Sequence, residues 1–299
     1  MRPRWKGIIP ALSTPTDERG ELDEESLRSE VRFNTEWGSH ALAPSIVAGE
    51  FYKFTDEERL KTFDIVVDEA DGRIPVLVGV HHSGTEPAIR FAEHAKDIGA
   101  DGIIIMAPYY GRNLDQAVLQ RHFGTVAERV DLPIMIQDTG VEPNMRPKLY
   151  QLLAKEYSNV VSVKVEGANT LEKIVETREL LGDRVTIIGG MAARLIFQEL
   201  ALGGDGNIPD ACLTDLLVDV YNDILSGKME EAREVFARYR VWVDFLGSHP
   251  GASAEIEKET LRLRGAIKSS QTRGPNVPLG EVEKAKLKEL LIKIGVVSE

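Results

Sequence analysis

The chain has 299 residues, one cysteine, 48 acidic and 36 basic side chains, and a formal net charge of −12. A hydrophobic content of 42% is enough to build a full core and excludes a disordered chain, while the acidic balance argues against nucleic acid or an anionic membrane as the main partner. One cysteine excludes an internal disulfide, no Cys/His spacing reads as zinc, and no apolar run approaches the roughly 18–20 residues of a membrane span.

From the N-terminus, Met1 to Lys6 is basic but has no apolar stretch behind it. No secretory signal is therefore expected, and the protein is read as cytoplasmic. Short apolar runs follow at Ile8–Leu12, Ala41–Val47, Pro75–Val80, Gly102–Ala107, Ile134–Ile136, Val160–Val165, Val185–Ile188 and Gly206–Ile208. Each is too short for a helix, and several are rich in Val and Ile, so they read as buried strands. Amphipathic stretches lie between them. Thr55-Asp56-Glu57-Glu58 is a capping box that opens one helix. In Thr85–Ile98 the apolar residues fall at helical spacing, and Gly99 follows as a C-terminal stop.

The central strands start near residues 76, 103, 134, 160 and 185, one strand–helix unit apart. Parallel strands need such crossovers. Eight units ending near residue 226 match a closed (β/α)8 TIM barrel. An open doubly wound sheet is the alternative, but it would usually carry a G-x-G-x-x-G turn after an early strand, and none is present. From Lys228 onward residues 228–247, 254–270 and 281–294 read as helices with no strand between them. The expected organisation is a barrel over 1–227 and a C-terminal helical extension of about three helices over 228–299, packed on the barrel or on a partner subunit.

The sixth run carries the strongest chemical signal. Read with period two, Val161, Val163 and Val165 share one face, and Val160, Ser162, Lys164 and Glu166 share the other. The all-valine face suits the surrounding helices. The other face then aims Lys164 and Glu166 at the barrel interior near the strand's C-terminal end, where active sites of this fold lie. Burial disfavours a lysine's charged form, and a neutral amine attacks a carbonyl carbon to give a Schiff base. Glu166 is placed to act as general base or acid. A buried Lys–Glu ion pair, or a lysine reaching out to solvent, is the alternative reading of the same pattern.

Several phrases occur in a telling order: Leu12-Ser13-Thr14-Pro15, Ala48-Gly49-Glu50, Asp71-Gly72-Arg73-Ile74-Pro75-Val76, Gly99-Ala100-Asp101-Gly102, Ala107-Pro108-Tyr109-Tyr110, Asp131-Leu132-Pro133, Val163-Lys164 and Gly189-Gly190. In this order they resemble the dihydrodipicolinate synthase / N-acetylneuraminate lyase family of class I aldolases and dehydratases, over roughly residues 5–295. The resemblance implies a (β/α)8 barrel, Lys164 as the Schiff-base lysine, a 2-oxo acid substrate, no metal and no organic cofactor, and a homotetramer or homodimer. It also implies substrate-binding roles around Val47, Ala48 and Gly49, where only backbone N–H groups remain in place of the family's usual hydroxyls. Glu50 reads best as a charge fixing that turn.

Departures from the family pattern bear on the activity. Where the fifth strand usually ends in Tyr-Asn-x-Pro, this chain has Gln137-Asp138-Thr139-Gly140. An amide hydrogen-bonds but does not shuttle a proton at neutral pH. The synthase's arginine is also missing, with Glu142 in its place. Of its proton-relay triad only Tyr110 remains, for a chemical role or for interface packing. Glu166 is the natural replacement carrier, and Lys-x-Glu together with Gln-Asp resembles the 2-keto-3-deoxy sugar acid dehydratase branch, above all the L-2-keto-3-deoxyarabonate dehydratase type. The catalytic candidates are thus Lys164, Glu166 and Tyr110. Gln137, Gly190, His81 and Ile208 join residues 47–49 as substrate-binding candidates. His82 is the alternative to His81 at the mouth, Asp210 could bind a polyol or cap a helix, and Cys212 reads as a small buried residue. The leading expectation is a lyase that dehydrates a 2-keto-3-deoxy sugar acid. Dihydrodipicolinate synthase or a pyruvate-releasing aldolase is the first alternative, and a barrel that binds a 2-oxo acid without turnover is the second.

Overall fold

A computed structural model describes residues 4–110, 114–140, 143 and 145–298. The chain divides into two compact units, one of Met1–Ile9 with Pro75–Pro209, the other of Pro10–Ile74 with Asp210–Glu299.

Among the described residues the sheet has seven strands, all in the first unit: β1 (Gly7–Ile8), β2 (Leu77–Gly79), β3 (Gly102–Met106), β4 (Ile134–Asp138), β5 (Val160–Val165), β6 (Thr186–Gly189) and β7 (Gly206–Asn207). Their order is β1-β7-β6-β5-β4-β3-β2, and every neighbouring pair is parallel. The helices, in chain order, are α1 (Glu24–Glu36), α2 (Asp56–Ala70), α3 (Thr85–Asp97), α4 (Gln116–Arg129), α5 (Pro147–Glu156), α6 (Thr170–Leu181), α7 (Ile196–Ala201), α8 (Thr214–Leu225), α9 (Met229–Gly247), α10 (Ser253–Leu263) and α11 (Glu281–Lys293). Helices α3 to α7 alternate with the strands of the first unit. Strand residues such as Ile103, Ile104, Met135, Val163, Ile187 and Ile188 are wholly buried, as expected of parallel strands covered on both faces. The fold class is the (β/α)8 barrel with C-terminal helices.

The second unit holds α1, α2 and α8 to α11. Its expected strand Ala41–Val47 is reduced to a bridge: the Leu12 N–H donates to the Ala43 carbonyl and the Ala43 N–H to the Pro10 carbonyl. Pro10 and Pro44 have no N–H, and Ser45 sits at a positive φ of 57°, so the ladder cannot spread. The Thr55 capping box forms in both directions. The helix expected over 254–270 ends at Leu263, because Gly265 takes a left-handed φ of 78° and terminates it. Among the described residues no helix is long and apolar enough to cross a membrane.

Candidate active site

Strand β5 builds the centre of the site. Its pleat turns Ser162 and Lys164 to one face, where the Ser162 and Thr186 hydroxyls pair with each other, and every β5 residue is buried. Lys164 is 4% exposed. Its Nζ donates to Glu166 Oε2 at 2.5 Å. The β4–β5 register sets Gln137 beside Lys164, and the Gln137 amide donates to the same Glu166 oxygen at 3.3 Å. The other oxygen, Oε1, accepts the Met191 N–H at 3.0 Å. Three donors from three segments therefore fix one carboxylate. Gln137 Oε1 is buried without a hydrogen-bond partner, a group that a bound donor would satisfy.

The turn after β6 makes room for this arrangement. A Cβ on Gly190 would lie 2.3 Å from Glu166 Oε1. A Cβ on Gly189 would lie 2.2 Å from an oxygen of a second carboxylate, Glu199 on α7. Glu199 accepts the Asn207 amide at 2.7 Å and the Gly190 N–H. Burial pushes its carboxyl up to about 7, and the negative charge of Glu166 adds to that. Met191, Ala192 and Ala193 all follow at φ near +52°, a left-handed run that non-glycine residues seldom adopt. Behind β4, Asp138 Oδ2 accepts both Tyr150 Oη and Lys173 Nζ at 2.5 Å. Burial, with the Asp138 charge beside it, drives the Tyr150 phenol well above its ordinary range.

Sequence reasoning missed Glu199, Asn207 and the Asp138–Tyr150–Lys173 group. Asp138 stands out in the sequence beside Gln137, but its partners Tyr150 and Lys173 lie on α5 and α6, whose pairing no local spacing records. Glu199 was legible only as the one charged residue, beside Gln198, in the short and mostly apolar segment Leu195–Leu202.

The remaining candidates each have partners of their own. His81 is wholly buried, and its Nδ1 accepts the Met106 N–H at 3.2 Å. His82 is partly exposed, with Nδ1 accepting the Gly84 N–H. Ile208 is buried and donates its N–H to the Gly189 carbonyl at 3.0 Å. Tyr110 is 86% exposed, its N–H bonded to the Ser83 hydroxyl. Glu142 lies outside the described residues. In the second unit Val47, Ala48 and Gly49 form a turn in which a Cβ on Gly49 would lie 2.6 Å from the Leu12 carbonyl oxygen, and Thr14 Oγ1 donates to the Gly49 carbonyl at 2.7 Å. Glu50 is buried there, ion-paired to Lys53 and Lys258, the fixing role expected of it. Asp210 precedes the short turn Ala211–Leu213 without capping it through its side chain. Cys212 is fully buried, and burial pushes its thiol well up. Among the described residues no cluster of three His, Cys, Asp or Glu side chains is placed to hold a metal ion.

A family model described as "Dihydrodipicolinate synthetase family" matches residues 4–294. The chain is 30% identical to the 4-hydroxy-tetrahydrodipicolinate synthase of Syntrophobacter fumaroxidans, over 98% of this chain and 100% of that protein. It is 27% identical to YagE, a prophage protein of the dihydrodipicolinic acid synthase family from E. coli K12 solved in complex with pyruvate; the alignment covers 97% and 99% of the two chains at a TM-score of 0.89. A structure described as the first monomeric dihydrodipicolinate synthase variant is 29% identical, covers 98% of each chain and has a TM-score of 0.88.

Proposed function

The chain belongs to the dihydrodipicolinate synthetase family, and from that premise we propose that it is a Schiff-base-forming enzyme acting on a 2-oxo acid, with Lys164 making the imine and Glu166 carrying the proton. The observation that carries this reading is the 2.5 Å contact between the buried Lys164 amine and the Glu166 carboxylate. Glu166 takes a proton from the ammonium, and the freed amine adds to the 2-oxo carbon. Loss of water, with the proton returned by Glu166, gives the protonated imine. That imine draws electrons from C3, and Glu166, now a base again, removes a C3 proton to give the enamine. Solved relatives support a 2-oxo acid, since one of them holds pyruvate.

Two onward steps compete. In condensation the enamine carbon attacks an aldehyde, the chemistry of a synthase. In dehydration the enamine expels the C4 hydroxyl as water, Glu166 returning the proton it took from C3. The names of the curated relatives back the synthase better than the dehydratase that the sequence motifs put first. The dehydratase reading is supported by Gln137 in the relay tyrosine's place and by Glu166 beside the lysine. We also infer a homo-oligomer, dimer or tetramer, from membership of that family; light scattering on the purified chain decides it.

The test is reduction by borohydride in the presence of pyruvate or a 2-keto-3-deoxy sugar acid, read by intact mass. We expect one adduct per chain, absent in Lys164→Ala. No adduct, or one that survives the substitution, overturns the mechanism. Product analysis with pyruvate plus aldehyde, against the sugar acid alone, then assigns condensation or dehydration.

A further inference from the structure

Gly189 and Gly190 are consecutive, and each leaves space for one carboxylate: Gly189 for Glu199 and Gly190 for Glu166. Consecutive peptide N–H groups repeat the pattern, with Gly190 N–H on Glu199 and Met191 N–H on Glu166. The two acids thus face each other across a single turn. Asn207 ties the turn down, because its amide donates both to Glu199 and to the Gly190 carbonyl. The groups that face Glu199 among the described residues are Glu166 and Lys164 from the β5 side and the Asn207 amide from β7. One cation stands against two acids there, in a site where Glu199 is 1% exposed. Like charges at such a place cannot both ionise freely.

Resting on the assignment of Glu166 as proton carrier, we propose that Glu199 is its positioning residue: the two acids work as a coupled pair across the Gly189–Gly190 turn, Glu166 on the Lys164 side and Glu199 holding the turn through Gly190 and Asn207. The neutral Glu199 keeps the turn in place without competing for Lys164. Once it ionises, a second negative charge faces Lys164, holds the ammonium proton and slows imine formation. Burial of Glu199, which lifts its carboxyl to about 7, puts this change in the neutral range.

Two measurements test the pair. The first needs no substrate. Infrared difference spectra of the protonated-carboxyl band, wild type against Glu199→Gln, should isolate one acid that titrates near 7. In Glu166→Gln that acid should titrate lower by about half a unit or more, because its charged neighbour is gone. ¹³C spectra of glutamate-labelled protein give the same midpoint should Glu199→Gln fold poorly, with Glu30, also lifted to about 7 by burial, assigned through Glu30→Gln. An acid at Glu199 that titrates in the ordinary carboxylate range, or a midpoint that Glu166→Gln leaves in place, overturns the proposal. The second measurement is the rate of borohydride-trapped imine. Between pH 6 and pH 8.5 the Glu199→Gln rate should gain on the wild type by about threefold or more, the size of a half-unit shift; an equal ratio at both ends contradicts it. Should wild type form no imine, the enzymatic reading fails while the titration still judges the pair.

Discussion

Glu166 is held by three donors, and its place depends on what Gly190 lacks. Gly190 has a φ of −159°, outside the left-handed region, and the demand read there is for space. In Gly190→Ala the new methyl meets Glu166 Oε1, Cδ and Cγ within 2.7 Å, and the carboxylate must leave its bonds to Lys164, Gln137 and Met191. The predicted outcome is a folded protein that still forms the trapped pyruvate imine but turns over more slowly by 10²-fold or so, the scale of a lost general base. Unchanged turnover would show that the Glu166 position does not matter. At this scale the sequence was most readable where chemistry and strand period coincide: alternate valines left Lys164 and Glu166 on one face. It was least readable where a partner comes from another segment. Nothing near Gln137 announces that its amide reaches Glu166, and nothing near Gly189 announces Glu199.

The elements were legible to different depths. Valine-rich Val160–Val165 appears as β5 with the expected limits, since buried parallel strands are continuous apolar runs. Thr85–Ile98 appears as α3, ending one residue early with Gly99 at a φ of 84°. The failures share a backbone cause. Ala41–Val47 is as apolar as a strand but makes only a proline-limited bridge, Ala43 to Ala11, and hydrophobicity does not record which N–H groups exist to make a ladder. The extension helix expected to run to 270 stops at 263 because one glycine adopts a conformation that composition permits but does not require. The turn Met191–Ala193 was invisible as well. Three non-glycine residues at positive φ store strain of order 1–3 kcal/mol each, and such strain collects where surrounding contacts, here the Met191 N–H on Glu166, over-determine the backbone.

For the whole molecule, the charge of −12 conceals acids of two kinds. Partnered, exposed or half-buried carboxylates such as Glu24, Glu58 and Asp205 are held below their ordinary range, by Arg28, Arg273 and Lys6 respectively among other donors. Fully buried Glu30 is lifted instead from 4.5 to about 7, by burial that the Ser13 hydrogen bonds only partly offset. A raised carboxyl holds its proton more tightly when folded. Its stabilisation is therefore complete below about 4.5 and is lost as pH rises toward 7, while the lowered group acts the opposite way below about 4. Stability should thus peak near pH 5 and decline toward neutrality, Glu30 contributing at most about 3 kcal/mol of that decline. Urea midpoints near pH 5 and pH 7.5 check this, with Glu30→Gln narrowing the difference and Glu199 supplying part of the remainder; equal midpoints in the wild type would contradict it. On the proposed function an anionic 2-oxo acid would have to enter this acidic protein, so its recognition would be local, and the central claim is local too: one amine and one carboxylate at the end of β5. The most direct measurement is exchange of the pyruvate methyl protons for deuterium, followed by NMR in D₂O. The account predicts exchange catalysed by the wild type, none by Lys164→Ala, and in Glu166→Gln a trapped imine whose exchange is slower by about 10²–10⁴-fold. Exchange at the wild-type rate in Glu166→Gln, or any enzyme-dependent exchange in Lys164→Ala, would contradict it.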